Sequence, residues 1–154
     1  MALMIDALRE DGQPKEEGWP YLKALPTPIS TWAPPKDCGP IFRYSFVKGT
    51  ADAAGLIAAL DAGQTALFAA RVTEQFHLPP ADHVIRTRPN DRAVANHALV
   101  AVGHGLEGSA PVVLVRNSWG GGWADRGYAW LTRDYLVGKI LGIAVPSLPT
   151  AKTT

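Results

Sequence analysis

Apolar residues at Met1, Met4, Ile5 and Leu8 fall on one stripe at helical spacing, so residues 1–11 are expected to form an amphipathic helix that stops at Gly12. The helix starts so early that the chain is expected to begin inside a fold. Residues 12–40 break the pattern with Pro14, Gly18, Pro20, Pro26, Pro28, Pro34, Pro35, Gly39 and Pro40. Proline lacks a backbone donor and fixes φ, so this stretch reads as a connecting arm, neither long helix nor central strand. Trp19, Tyr21 and Trp32 give the arm apolar surface with which to pack down.

Alternation returns at 41–47, an aromatic-rich run that reads as a strand. Thr50 is placed to cap a helix over 51–61, with Leu56, Ile57 and Leu60 on one face and Gly63 just past its end. Residues 64–72 read as a buried strand, and 76–90 as loop around a short strand at 83–86. Further strands are expected at 97–103, 111–117 and 127–132, with 140–145 closing the sheet, and the Pro-, Thr- and Ser-containing tail 146–154 is expected to fray. One or two helices with five or six antiparallel-type strands make the fold class α+β.

Composition narrows the function classes. A length of 154 residues suits one domain, or two lobes sharing one. With 47% hydrophobic and 19% charged residues the chain is not wholly disordered. A net charge of +1 leaves no basic footprint for nucleic acid. The longest apolar runs, 66–70 and 98–103, fall far short of the roughly 18 residues of a membrane helix, so no membrane partner is expected. Cys38 is the one cysteine, which excludes an internal disulfide framework and a cysteine-cluster zinc site. Lack of a basic leader and of disulfides points to the cytoplasm. His77, His83 and His104 have no acidic or cysteine partners at metal-ligand spacing and read as solvated loop histidines, His104 in a hairpin loop. Gly120, Gly121 and Gly122 do not precede a helix and make a poor phosphate cradle. No metal or cofactor is expected.

Chemistry concentrates in two apolar runs, 97–103 and 111–117. Joined as a hairpin by a polar loop at 104–110 centred on Glu107, they would set His97 directly opposite Asn117. Across such a pair the Cβ atoms lie roughly 5 Å apart, close enough for the Asn oxygen to accept from an imidazole N–H. That bond fixes the tautomer and frees the other ring nitrogen to take a proton from a nucleophile. Trp119, two residues beyond, is placed to cover the bond from water. A lone strand histidine is ordinarily structural, and Asn-Ser-Trp-Gly is ordinary turn material. The matched register of the pair and its Gly-Trp neighbourhood lift it above that reading.

The blocks Asn96-His97-Ala98-Leu99-Val100-Ala101-Val102-Gly103, Val115-Arg116-Asn117-Ser118-Trp119-Gly120-Gly121-Gly122-Trp123 and Gly127-Tyr128-Ala129-Trp130-Leu131 resemble, in that order, the C-terminal half of papain-like cysteine peptidases. Upstream, Ala7-Leu8-Arg9-Glu10-Asp11-Gly12 with Glu17-Gly18-Trp19-Pro20-Tyr21 resembles the helix and Pro-Tyr segment after the nucleophile helix, particularly in bacterial members, and 58–64 resembles the next helix and strand. The similarity covers roughly residues 1–137.

The resemblance implies a papain-like α+β fold, mainly the β-rich right-hand lobe over 41–145, with 1–40 as a remnant of the helical lobe and its connecting arm. It implies that His97 shuttles protons, Asn117 orients it and Trp119 shields the pair, while Asn96, Ala98 and Ala69 border the cleft for a peptide or protein substrate. The family's nucleophile opens a long helix about 130 or more residues before the His. Only 96 residues precede His97 here, and neither that motif nor the Gln of the oxyanion hole is among them. The sequence therefore reads as a member whose first segment is removed, lost or supplied by another chain, leaving Met4, Ile5 and Leu8 short of a packing partner. Cys38 lies 59 residues before His97 in the proline-rich arm, with Pro40 opposing a helix from it, and is a poor substitute nucleophile. Three functions compete: the His/Asn part of a thiol peptidase, a non-catalytic peptide-binding module, and an acyl-transfer enzyme built on Cys38.

Overall fold

The computed structural model describes residues 2–20, 22 and 24–147, without the side chains of Ala2 and Leu3. Met1 and Tyr21 lie outside the described residues, as do the tail residues 148–154 expected to fray. The chain forms two compact units, one ending at Ser45 and the other spanning Phe46–Ser147.

In the first unit α1 (Ala2–Glu10) turns one face outward, with Met4 exposed and Ile5 and Leu8 half-buried. It stops at Gly12, whose φ of +81° suits glycine and where a Cβ would meet the Ile41 Cγ2 at 2.6 Å. β1 (Gln13–Pro14) then pairs antiparallel with β2 (Ile41–Phe42). Between them the arm holds a 3₁₀ turn at Ile29–Thr31 and a stack of Trp19 on Trp32, centroids 5.8 Å apart.

The strand expected over 41–47 is two strands, β2 and β3 (Ser45–Lys48), in different sheets. The break has a cause: the Tyr44 N–H donates to the Leu8 carbonyl at 3.2 Å and Arg43 Nε to the Glu10 carbonyl at 2.9 Å. Those bonds tie 43–44 to the end of α1 and take them off any ladder.

The second unit contains α2 (Ala53–Asp61), β4 (Ala66–Thr73), α3 (Glu74–His77), β5 (Val84–Ile85), β6 (Ala93–Glu107), β7 (Ala110–Arg116), β8 (Tyr128–Thr132), α4 (Arg133–Leu136) and β9 (Ile140–Ser147). One seven-stranded sheet runs in the order β3-β9-β4-β6-β7-β8-β5. β9 continues through residues 146 and 147, beyond the 140–145 anticipated. The cap of α2 is Asp52, not Thr50: its Oδ1 accepts from the Gly55 N–H at 2.8 Å, while the Thr50 carbonyl presses on Gly55, 2.1 Å from where a Cβ would stand. β5 pairs parallel with β8, Val84 beside Trp130, because His83 takes φ +57° and its carbonyl accepts from the Trp130 N–H at 2.9 Å.

Alternate residues of β4, namely Ala66, Phe68, Ala70 and Val72, point inward beside Leu99 and Ala101 of β6 and Val113 and Val115 of β7. Leu56 of α2, Phe76 and Trp123 complete the same core. Burying one such large apolar side chain contributes about 1.5–3 kcal/mol. Among the described residues no helix is long and apolar enough to cross a membrane.

Candidate active site

β4 and β6 position the first group. Ala70 lies across the ladder from His97, and Phe68 from Leu99, so the imidazole stands at the end of the inward-facing row. His97 is half-buried, between buried Leu99 and the exposed start of β6.

The second group comes from the end of β7, in a register other than the one expected. The hairpin turn is the two-residue Gly108–Ser109, with Gly108 at φ +60°, so residues 104–107 and 110 belong to strands and not to a loop. A bulge between Ala101 and Gly103 adds one residue to β6. The ladder consequently pairs Val100 with Arg116 and Ala101 with Val115. Continued one step, it sets Asn117 beside Leu99, so His97 is its diagonal neighbour on the same face. The bulge also turns His104 toward α2, where its Nε2 lies 2.8 Å from Asp61 Oδ1; it is a strand residue, not a loop one.

The contact survives the shift. His97 Nε2 lies 2.8 Å from Asn117 Oδ1. That oxygen also accepts from the Ser118 backbone N–H at 2.8 Å, which sets the orientation of the amide. Nε2 must then carry the proton it donates, and Nδ1 of the neutral ring keeps its lone pair. Asn117 is only 6% exposed, and its own N–H donates to the Gly127 carbonyl at 2.9 Å. Gly127 takes φ +93°, and a Cβ there would approach the Gly120 carbonyl to 3.2 Å. The amide nitrogen Nδ2 is buried with no hydrogen-bond partner among the described residues. A buried donor left unmet costs about 1–3 kcal/mol, so what position 117 contributes is its oxygen.

Rings enclose this bond. The Trp119 centroid lies 4.7 Å from that of His97, and the Phe76 centroid 5.6 Å from it. Trp123 Nε1 donates to the Phe76 carbonyl at 2.8 Å, holding the short helix α3 against the loop after β7. At the other end of α3, the Tyr135 hydroxyl accepts from the Thr73 N–H at 3.1 Å. Burial pushes the Tyr135 phenol pKa up, against the smaller opposing effect of its hydrogen bonds to Thr73. Farther off, Asp82 is held below the usual carboxylate range by the Val84 N–H and by Arg86.

The remaining residues singled out from sequence divide. Ala69 pairs directly with Ala98, and Asn96 pairs with Arg71, so the three meet on the opposite face of the β4–β6 ladder from His97. Asn96 and Ala98 are exposed and Ala69 half-exposed. Cys38 is a half-buried free thiol in irregular backbone of the first unit, with no helix opening from it. Among the described residues no three His, Cys, Asp or Glu side chains gather as a metal site. Phe76 carries no signal in the sequence beyond its aromatic ring, and His77, expected as a solvated loop histidine, instead ends α3 with its ring stacked on Trp119.

A family model described as "Papain family cysteine protease" matches residues 41–144. The chain belongs to the papain family. It is 31% identical to Cysteine proteinase 2 of Entamoeba histolytica over 149 residues, 96% of this chain and 45% of that protein. Over 55 residues it is 46% identical to a Cathepsin L-like proteinase of Fasciola hepatica, 35% of this chain and 16% of the relative. The chain thus spans less than half the length of these papain-family relatives. Its fold is that of xylellain, a cysteine protease from Xylella fastidiosa, with a TM-score of 0.68 at 22% identity over 95% of this chain and 60% of that one. Digestive procathepsin L 3 of Tenebrio molitor larval midgut superposes with a TM-score of 0.69 at 17% identity, covering 94% and 47% of the two chains.

Proposed function

We propose that this chain supplies the proton-transfer half of a papain-family peptidase and hydrolyses peptide bonds when a cysteine-bearing segment from outside its 154 residues joins it. The observation that carries the reading is the 2.8 Å contact of His97 Nε2 with Asn117 Oδ1, its polarity set by Ser118. His97 Nδ1 is the base. It takes the thiol proton, and the thiolate sulfur adds to the scissile carbonyl carbon. The C–N bond then breaks as the imidazolium returns that proton to the leaving amine. Water, deprotonated by the same nitrogen, cleaves the thioester, releasing the acid and the thiol. Asn117 keeps the ring in the productive tautomer throughout, and Trp119 keeps water from competing for its oxygen. The cleft role expected of Asn96, Ala98 and Ala69 needs a substrate that also passes over the other face of the β4–β6 ladder, where the three are at least partly exposed. Exposure of Met4, Leu22 and Leu25 in the first unit supports a packing partner there.

The test mixes the full chain with a synthetic segment of the Gln…Cys-Gly-x-Cys-Trp type and follows a fluorogenic peptide. Activity is expected with the segment present and lost in His97→Ala. Saturable peptide binding without rescued activity would instead make the chain a non-catalytic binding module. Thiol labelling of Cys38 that disappears in His97→Ala would move the nucleophile into the arm.

A further inference from the structure

We propose that His77 is a positioning residue for His97, acting through Trp119. The inference deepens the peptidase reading and rests on it for its functional meaning.

Trp119 follows a strand end and enters a glycine run, Gly120, Gly121 and Gly122, at which an added Cβ would meet nothing within 4 Å. The glycines bring no side chain of their own against the indole, which is 41% exposed. The rings around it pack against it instead. Phe76 and Trp123 meet it edge-on, at interplanar angles of 77° and 86°. His77 lies nearly parallel to it, at 25° with centroids 5.1 Å apart, while His97 lies at 42° and 4.7 Å. Among the described residues the one face-on stack on the shielding indole thus comes from a second imidazole.

Where His77 stands is not left to a loop. It ends α3, which follows β4 without a gap, and β4 is hydrogen-bonded to the strand bearing His97, Ala70 beside His97. Thr73 at the junction is anchored by Tyr135, and Phe76 by Trp123. Among the described residues no hydrogen bond or ion pair is made by the His77 side chain, and the rings it packs against are those of Phe76 and Trp119. His77 is itself exposed, yet its ring lies stacked on the indole. Through it the ladder fixes the indole, and the indole keeps the imidazole–amide bond dry.

The test reads solvent exchange of the His97 Nε2 proton by NMR in the full chain, with Trp123 Nε1–H as the internal control because its acceptor is the neighbour of His77 in α3. His77→Ala and His77→Gln are expected to speed His97 exchange about threefold to tenfold, the range that loss of one aromatic stack implies. His77→Phe, which keeps a ring, should return the rate to within about twofold of the original. The Trp123 proton should not change in any of them. Unchanged His97 exchange in the ringless variants overturns the proposal. So does a parallel rise at Trp123, which would mean loosening of α3 alone, or failure of His77→Phe to rescue. These readouts need no cysteine segment, so an inactive mixture overturns the peptidase reading without touching this one.

Discussion

In the second unit Leu56, Phe68, Phe76, Ile85 and Leu131 are at most 1% exposed, whereas in the first Leu25 is 74% and Ile29 60% exposed, and no described residue there is buried. Apolar content alone does not separate the two. What differs is whether the backbone allows apolar side chains to be stacked in rows. Alternation along β4 and β6 presents such rows to α2 and to the neighbouring strands, while the proline-rich arm has only the two-residue pairing of β1 with β2 and leaves its aromatics to pair locally, as Trp19 and Trp32 do. Precision follows packing: His97 stands on β6 and Asn117 directly follows β7, two strands paired in the sheet, which is where a hydrogen bond can be held to geometry.

Hydrogen exchange puts the contrast to its widest test. Amides in β4 and β6 should open only with the whole unit and exchange at least about 10³-fold more slowly than those of the arm. Equal protection would erase the distinction. His97→Ala should next lower peptidase activity of the complemented chain by about 10²–10⁴-fold, with little change in melting temperature. A large fall in melting temperature would make His97 a core residue. Phe68→Ala should cost about 3–5 kcal/mol in urea denaturation, against no more than about 0.5 kcal/mol for Leu25→Ala. Comparable losses would show that the first unit carries stability of its own. Asn117→Ala removes one hydrogen bond to a ring that becomes charged in turnover, about 1.5–3 kcal/mol or roughly tenfold to 150-fold in kcat.

The smallest expected effect is alkaline. The Tyr135 pKa is raised in the folded state, so the unfolded chain loses this proton first. The stabilisation it gives is complete below the ordinary tyrosine value near 10 and is lost as pH rises through the folded value. Melting temperature should therefore fall more steeply between about pH 9 and 11.5 in the parent than in Tyr135→Phe. Parallel curves would remove the phenol from the account.

Much of this could be read from the chain because the signals were local. The stop of α1 at Gly12 and the alternation of β4 need no knowledge of distant residues. The partnership of His97 with Asn117 was legible from its flanking motif even though the register inferred for it was not. That register depended on where a turn falls and on a bulge at Val102, and a bulge adds a residue without leaving a compositional mark. The break at Arg43 and Tyr44 and the stack of His77 on Trp119 were hidden for a different reason. Both are long-range, the first made by carbonyls of Leu8 and Glu10, the second by a turn of helix that the ladder brings beside a residue 42 positions later.

The unmet Nδ2 of Asn117 has a practical corollary for anyone who would evolve this chain for heat resistance. An apolar replacement at position 117 relieves that penalty yet strips the acceptor from the His97 ring and the Ser118 N–H, so a screen rewarding survival at high temperature gains little there. Stabilising changes are better sought elsewhere, with turnover as a second criterion from the first round.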